Sequence, residues 1–171
     1  MIFKQFEVKQ TVKIEDILKA ECILGNIEAP SKEAALKIMA EKLYSLGYVK
    51  ESYIQAIQDR EANYPSGLPM EDLKIAIPHT DADHVNQSVI CFARLPEDVE
   101  FSVMGDPDQK IPVRLISMFA LKEKKKIGDL LETLITTYQD NNVLKALLNA
   151  EDDTAIYNIL YDNVGKNLKA S

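Results

Sequence analysis

Apolar positions recur with a helical period up to about residue 63, crowd together with strand-like density from 74 to 121, and return to a helical period from 127 onward. Ile2 to Val8 has β-type composition with imperfect alternation, so residues 1–13 are expected to form an edge strand or arm. "VKIEDILKAECIL" puts Ile14, Ile17, Leu18 and Cys22 on one helical face, and Gly25 follows as a stop; it predicts a helix. "APSKEAALKIMAEKLYSLGY" is the clearest helix of the chain. Ser31 stands where a cap belongs, Glu33 lies in the first turn, Leu36, Met39, Ala40 and Leu43 make one stripe, and Gly47 closes the end. Lys50 to Asn63 predicts a second helix that lies at the surface, with Tyr53, Ile54 and Ile57 as its apolar positions, and Asn63 to Pro69 reads as loop.

Strands are expected at Lys74 to Ile77, Ser88 to Leu95, Val99 to Met104 and Pro112 to Leu121, with a turn at Asp106 to Gln109. The last of these is almost continuously apolar, as a strand buried on both faces is. Ile127, Leu130, Leu131, Leu134, Ile135 and Tyr138 then form one helical stripe. Shorter helices are expected near 143–148 and 154–164, with 166–171 as a loose tail. Helices, then strands, then helices indicate a sheet covered by helices, an α/β or α+β layered domain. The short spacing of the central strands makes part of that sheet antiparallel.

Composition changes this picture little. The 171 residues suit a single domain spanning 1–171, and a chain of this size buries roughly 70 % of its unfolded surface. A net charge of −7 disfavours nucleic acid as a partner, which requires a basic face. Cys22 and Cys91 form no CxxC pair and are expected as reduced core residues of a cytosolic protein. The first residues carry no apolar leader. The longest apolar run, Leu115 to Leu121, is far shorter than the roughly 20 residues of a membrane helix. A soluble, cytoplasmic protein is expected.

The candidate chemistry is concentrated in "IAIPHTDADH", Ile75 to His84, which holds both histidines of the chain. Three readings compete. In the first, His79, Asp81, Asp83 and His84 bind a metal. Zinc accepts such donors, but histidines five apart share neither a helix face nor a strand face, and no third histidine or nearby cysteine completes a set. In the second, His79 is a covalent nucleophile. That role requires a neutral ring whose other nitrogen is held by an acceptor, with donors such as backbone N–H groups, Thr80 and an arginine around the arriving oxygens. In the third, both are loop histidines with satisfied hydrogen bonds. Spacing alone ranks the loop reading first.

The surrounding residues reverse that order. "REANYPSGLPMEDLKIAIPHTDADHV", Arg60 to Val85, resembles the phosphohistidine segment of phosphotransferase-system EIIA domains of the fructose/mannitol class. The likeness runs from about Glu15 to Leu160. It includes "LGYVKESYIQAIQDREANYPSGL" and "VRLISMFALKEKKKIGDLLETL", and "YPSGL" and "IPHTDADH" look most like the galactitol-type branch. The resemblance implies a three-layer α/β/α sandwich with a mixed central sheet. It implies a phosphocarrier that takes a phosphoryl group from HPr and passes it to a cysteine of a cognate EIIB, with EIIC in the membrane, for uptake of a galactitol-like sugar or sugar alcohol. It implies no cofactor, no metal and no direct contact with sugar. His79 matches the phosphoryl acceptor, and Arg60 matches the family arginine near the phosphate. Thr80 and His84 are further candidates to bind the phosphoryl group or orient the ring. The second histidine of mannitol-type relatives falls at Lys126, within three lysines whose simplest reading is a solvated face, so His84 is the natural substitute. Asp81 and Asp83 are expected to point away from a phosphate and to cap a following turn. Some EIIA-like domains act instead as regulatory switches, and that alternative stays open at this point.

Overall fold

The structure, a computed structural model, describes residues 12–170. The arm or strand expected at Ile2 to Val8 lies outside the described residues. In chain order the elements are α1 (Ile14–Ile17), β1 (Leu18–Leu24), α2 (Lys32–Ser45), α3 (Ser52–Asn63), β2 (Gly67–Leu68), β3 (Ile75–Ala76), β4 (Val89–Val103), β5 (Asp106–Ala120), α4 (Ile127–Tyr138), α5 (Asn141–Asn149) and α6 (Asp153–Ala170). Short 3₁₀ turns at Ala82–His84 and Lys124–Lys126 precede β4 and α4.

The sheet is mixed, as expected. β4 and β5 form a long antiparallel hairpin from Val89–Ala120 to Val103–Asp106. β1 runs parallel to β4, and β3 runs parallel to β5. β2 is antiparallel to β3 and reaches the tip of the hairpin, where Gly67 pairs with Val103. Only glycine fits at Gly67, because a Cβ there would lie 2.5 Å from the Ser102 carbonyl oxygen.

Helices cover both faces. Leu36, Met39 and Leu43 of α2 and Tyr53 and Ile57 of α3 pack with Cys91, Ala93, Ile116 and Met118 of the hairpin. On the opposite face Leu130, Leu134 and Tyr138 of α4, Leu144 and Leu147 of α5, and Ile156 and Leu160 of α6 pack with Ile90, Phe92, Leu115 and Phe119. Each buried aliphatic or aromatic side chain contributes about 2 kcal/mol by leaving water. This is the three-layer α/β/α sandwich. α2 begins as its sequence indicates, with the Ala34 N–H donating to Ser31 Oγ over 3.2 Å. Both cysteines are buried and unpaired.

Four expectations are corrected. The segment from Ile14 to Cys22 is not one helix: α1 is a single turn and β1 follows. A helix would turn Leu18 and Cys22 to the same side, yet Cys22 enters one core layer while Leu18 and Ile23 enter the other. Pairing with β4 outweighs the helical spacing, and a register shift between Leu18 and Ile23 turns Leu18 and Cys22, which strict alternation would leave on one face, to opposite faces. The hairpin turn is at Met104–Gly105, not Asp106–Gln109, because Gly105 takes the positive φ of 79° the turn needs. The loop at 63–69 contains β2. Residues 166–170 continue α6, anchored by buried Leu168, and are not a loose tail.

Candidate functional site

Parallel pairing of β3 and β5 brings their carboxyl ends to one edge of the sheet. The chain leaves β3 through buried Ile77 and Pro78 and arrives at His79. The Ile77 N–H donates to the Ser66 carbonyl over 3.1 Å, and the Phe119 N–H donates to the Pro78 carbonyl over 3.1 Å. These two bonds extend the sheet by two residues beyond β3 and fix the backbone that carries the imidazole.

Two contacts then fix the ring. His79 Nδ1 lies 2.9 Å from the Ile77 carbonyl oxygen. A carbonyl only accepts, so Nδ1 carries the proton and Nε2 of the neutral ring carries the lone pair. The ring stacks on Phe119, with centroids 4.7 Å apart and planes inclined by 11°. Phe119 is itself locked, since the buried Tyr53 hydroxyl donates to its carbonyl over 3.1 Å. Burial is the main cause holding the His79 imidazolium below the usual histidine range; the Arg60 charge acts in the same direction, while the Ile77 hydrogen bond and Asp81 oppose it. The group is therefore a neutral base with one free nitrogen.

Arg60 comes from the last turn of α3. Its guanidinium carbon sits over the Tyr64 ring, 4.3 Å from the centroid. The adjacent Glu61 turns the other way into the protein and accepts from the Ser66 N–H over 3.0 Å; burial pushes its carboxyl above the usual carboxylate range. Glu61 thus shapes the loop that supports Ile77 and does not pair with Arg60. A cleft of about 400 Å³ separates α3 from residues 80–84, and Arg60, Tyr64, Thr80, Asp81, Ser52 and His84 line it.

The structure therefore brings Arg60, Thr80 and His84 to one cleft, and Thr80 is the lining residue that directly follows His79 in the chain. His84 makes its own hydrogen bond: Nδ1 is 2.8 Å from Ser52 Oγ at the start of α3. Among the described residues no hydrogen bond or ring stacking joins His79 to His84. Lys126 pairs with Glu123 and does not line the cleft. The capping expected of Asp81 is corrected: it precedes the Ala82–His84 turn, but its side chain makes no cap hydrogen bond. Sequence reasoning missed Phe119, Tyr53, Ser52 and Tyr64. Of these only Tyr64 left a signal, as an aromatic residue four positions after Arg60, just past the end of the helix.

Comparison with known proteins shows the family. The family model of the phosphoenolpyruvate-dependent sugar phosphotransferase system, EIIA 2, matches residues 16–163. The chain belongs to that EIIA family. It is thus a phosphotransferase component of the sugar phosphotransferase system. Among its relatives is the galactitol-specific EIIA component of Escherichia coli K12, 26 % identical over 126 residues, which cover 74 % of this chain and 83 % of that protein. The mannitol-specific EIICBA component of the same strain is 32 % identical over 133 residues, covering 76 % of this chain and 20 % of that longer protein. A solved complex of enzyme IIAMTL and phosphorylated enzyme IIBMTL from Escherichia coli has a TM-score of 0.71 at 27 % identity, over 85 % of this chain and 99 % of that one. Among the described residues of this EIIA domain no helix is long and apolar enough to cross a membrane.

Proposed function

We propose that this EIIA domain is a phosphohistidine carrier that takes a phosphoryl group from phospho-HPr on His79 Nε2 and passes it to the cysteine of an EIIB. The observation that carries this reading is the 2.9 Å contact of Nδ1 with the Ile77 carbonyl, which leaves Nε2 as the nucleophile. In the first transfer the Nε2 lone pair forms the N–P bond. The bond between phosphorus and the donor's ring nitrogen breaks, and its electron pair returns to the donor. The His79 ring, now bonded at both nitrogens, gains positive charge, and the Ile77 carbonyl accepts the more polarised Nδ1–H. In the second transfer a cysteine thiolate forms the S–P bond, and the N–P pair returns to Nε2, restoring the neutral ring. Both steps are in-line displacements whose charge sits on the equatorial oxygens. Arg60 and the Thr80 hydroxyl are the donors available to those oxygens, and a guanidinium fork binds them better than an ammonium. The relatives that are specific for galactitol and mannitol support a sugar-alcohol system, galactitol-like, with EIIC as the membrane component that the EIIB serves.

Incubation with phosphoenolpyruvate, Enzyme I and HPr is expected to add one acid-labile phosphoryl group, which then moves to a cognate EIIB. A chain that gains no phosphoryl group under these conditions contradicts the reading.

The shifted imidazole also sets a pH dependence. Because the folded pKa is lowered, an unfolded chain takes up the proton first as pH falls through about 6.5. The contribution of His79 to stability is therefore full above that pH and is lost on acidification toward the folded pKa. The nucleophile stays neutral in the same window. An NMR titration of the His79 ring is expected to give a midpoint below about 6.5; a midpoint at or above that value contradicts the account.

A further inference from the structure

Arg60 is held in an unusual way for a buried-edge cation. Among the described residues its guanidinium makes no ion pair and no hydrogen bond. The carboxylates beside it in sequence are engaged elsewhere: Asp59 accepts from Gln55 Nε2 over 2.9 Å, and Glu61 accepts from the Ser66 N–H. What holds Arg60 is Tyr64, one turn further on, which lies under the guanidinium carbon. Tyr64 is 64 % exposed and is the most exposed large hydrophobic side chain among the described residues. Its backbone is fixed, because its N–H donates to the Arg60 carbonyl over 2.7 Å at the end of α3. Keeping this ring in water has a cost that burial against an apolar neighbour would avoid.

We infer that Tyr64 is a positioning residue for phosphoryl transfer. The contact with an aromatic ring uses the electrostatic attraction of a cation for the π-face and consumes no N–H donor. A carboxylate partner would hold Arg60 as firmly, but would occupy the fork that must receive phosphoryl oxygens. Tyr64 thus orients the guanidinium over the cleft while leaving its donors unspent. The residue acts through Arg60 and touches no reacting atom. The inference rests on the proposed role of Arg60 at the phosphoryl group.

The test is single-turnover transfer from phospho-HPr, measured over a range of donor concentrations. Arg60→Ala removes a charge-assisted hydrogen bond and is expected to slow transfer about thirtyfold. Tyr64→Ala is expected to slow the maximal rate about fivefold, the effect of an exposed cation–π contact, with the half-saturating donor concentration little changed. Tyr64→Phe, which keeps the ring face, restores the wild-type rate. In an Arg60→Ala background, Tyr64→Ala has no further effect, since the two residues act as one unit. Circular dichroism checks the fold, and Tyr64→Leu replaces Tyr64→Ala if the alanine variant unfolds. The inference is overturned if the ring-less variant transfers at the wild-type rate, if it changes only the half-saturating concentration as a docking residue would, if Tyr64→Phe fails to rescue, or if the two losses add. A wild-type chain that accepts no phosphoryl group instead overturns the phosphocarrier reading itself. A normal rate in Arg60→Ala removes the role of Arg60 and the inference with it.

Discussion

His79→Ala is expected to reduce phosphoryl uptake from phospho-HPr to below detection, while His84→Ala retains at least half of it. Both residues are histidines of the same loop, so this comparison separates geometry from residue type. His79 offers a neutral ring, one nitrogen tied to a carbonyl, and a plane held against Phe119. Such pre-orientation replaces entropy that a free imidazole would lose on reaching the transition state. His84 shares the cleft, but its Nδ1 is bound to Ser52, and among the described residues no ring stacks on it. Removing it takes away a neighbour of the transfer site and not the acceptor. The mass of the intact chain after incubation reads both variants directly. Uptake that survives in His79→Ala, or vanishes in His84→Ala, contradicts the assignment.

Arg94→Met is expected to destabilise the fold by about 3 kcal/mol, measured by urea denaturation with an unchanged slope. Arg94 lies in β4 and is buried, yet it has no carboxylate partner among the described residues. Its Nε donates to the Gly25 carbonyl over 2.9 Å. One terminal nitrogen donates to the carbonyls of Leu147, Leu148 and Ala150 over 3.0, 3.1 and 2.7 Å. Those carbonyls belong to the last turn of α5 and the residue that follows it, where a helix has unpaired acceptors and a negative dipole end. One side chain therefore stitches α5 and the end of β1 to the centre of the sheet. Methionine fills similar space but leaves these acceptors without a donor, and an unmet buried polar group costs about 1–3 kcal/mol. Phosphoryl uptake by the surviving folded fraction should be normal, because Arg94 donates to the Gly25 carbonyl and the end of α5 and does not line the cleft. A loss below 1 kcal/mol would mean that water satisfies those carbonyls and that Arg94 contributes little.

Sequence pattern carried the fold wherever one face of one element decided its structure. α2 and α4 have continuous apolar stripes, and they appear as expected. The end of β5, residues 115–120, is buried on both sides, as its apolar run implies. Pattern failed where a neighbour decided. In β1 the spacing of Ile14, Ile17, Leu18 and Cys22 fits a helix, but the segment pairs with β4, and a register shift between Leu18 and Ile23 sends Leu18 and Cys22 to opposite faces. At the hairpin, "DPDQ" has stronger turn composition than "MG", yet the cross-strand register with Val99 to Ser102 places the turn at Gly105. Arg94 left a signal that went unused, a single charge inside the apolar run "SVICFARL".

The site was legible in part for the same reason. His79 and Arg60 stand in a local run of residues whose order is informative. Phe119 is forty residues away, within a strand that already reads as core, and nothing in "SMFAL" distinguishes a ring that stacks on a nucleophile from one that only packs. The tautomer was equally hidden, since it depends on where the Ile77 carbonyl points after β3 ends.

That tautomer is the centre of the account, and one measurement reaches it. The chain, labelled with ¹⁵N in its histidines, is phosphorylated with phosphoenolpyruvate, Enzyme I and HPr, and ¹⁵N–³¹P coupling identifies the bonded nitrogen. Coupling to His79 Nε2, with Nδ1 still carrying its proton, is the predicted result. Phosphorus on Nδ1, or on His84, would contradict it.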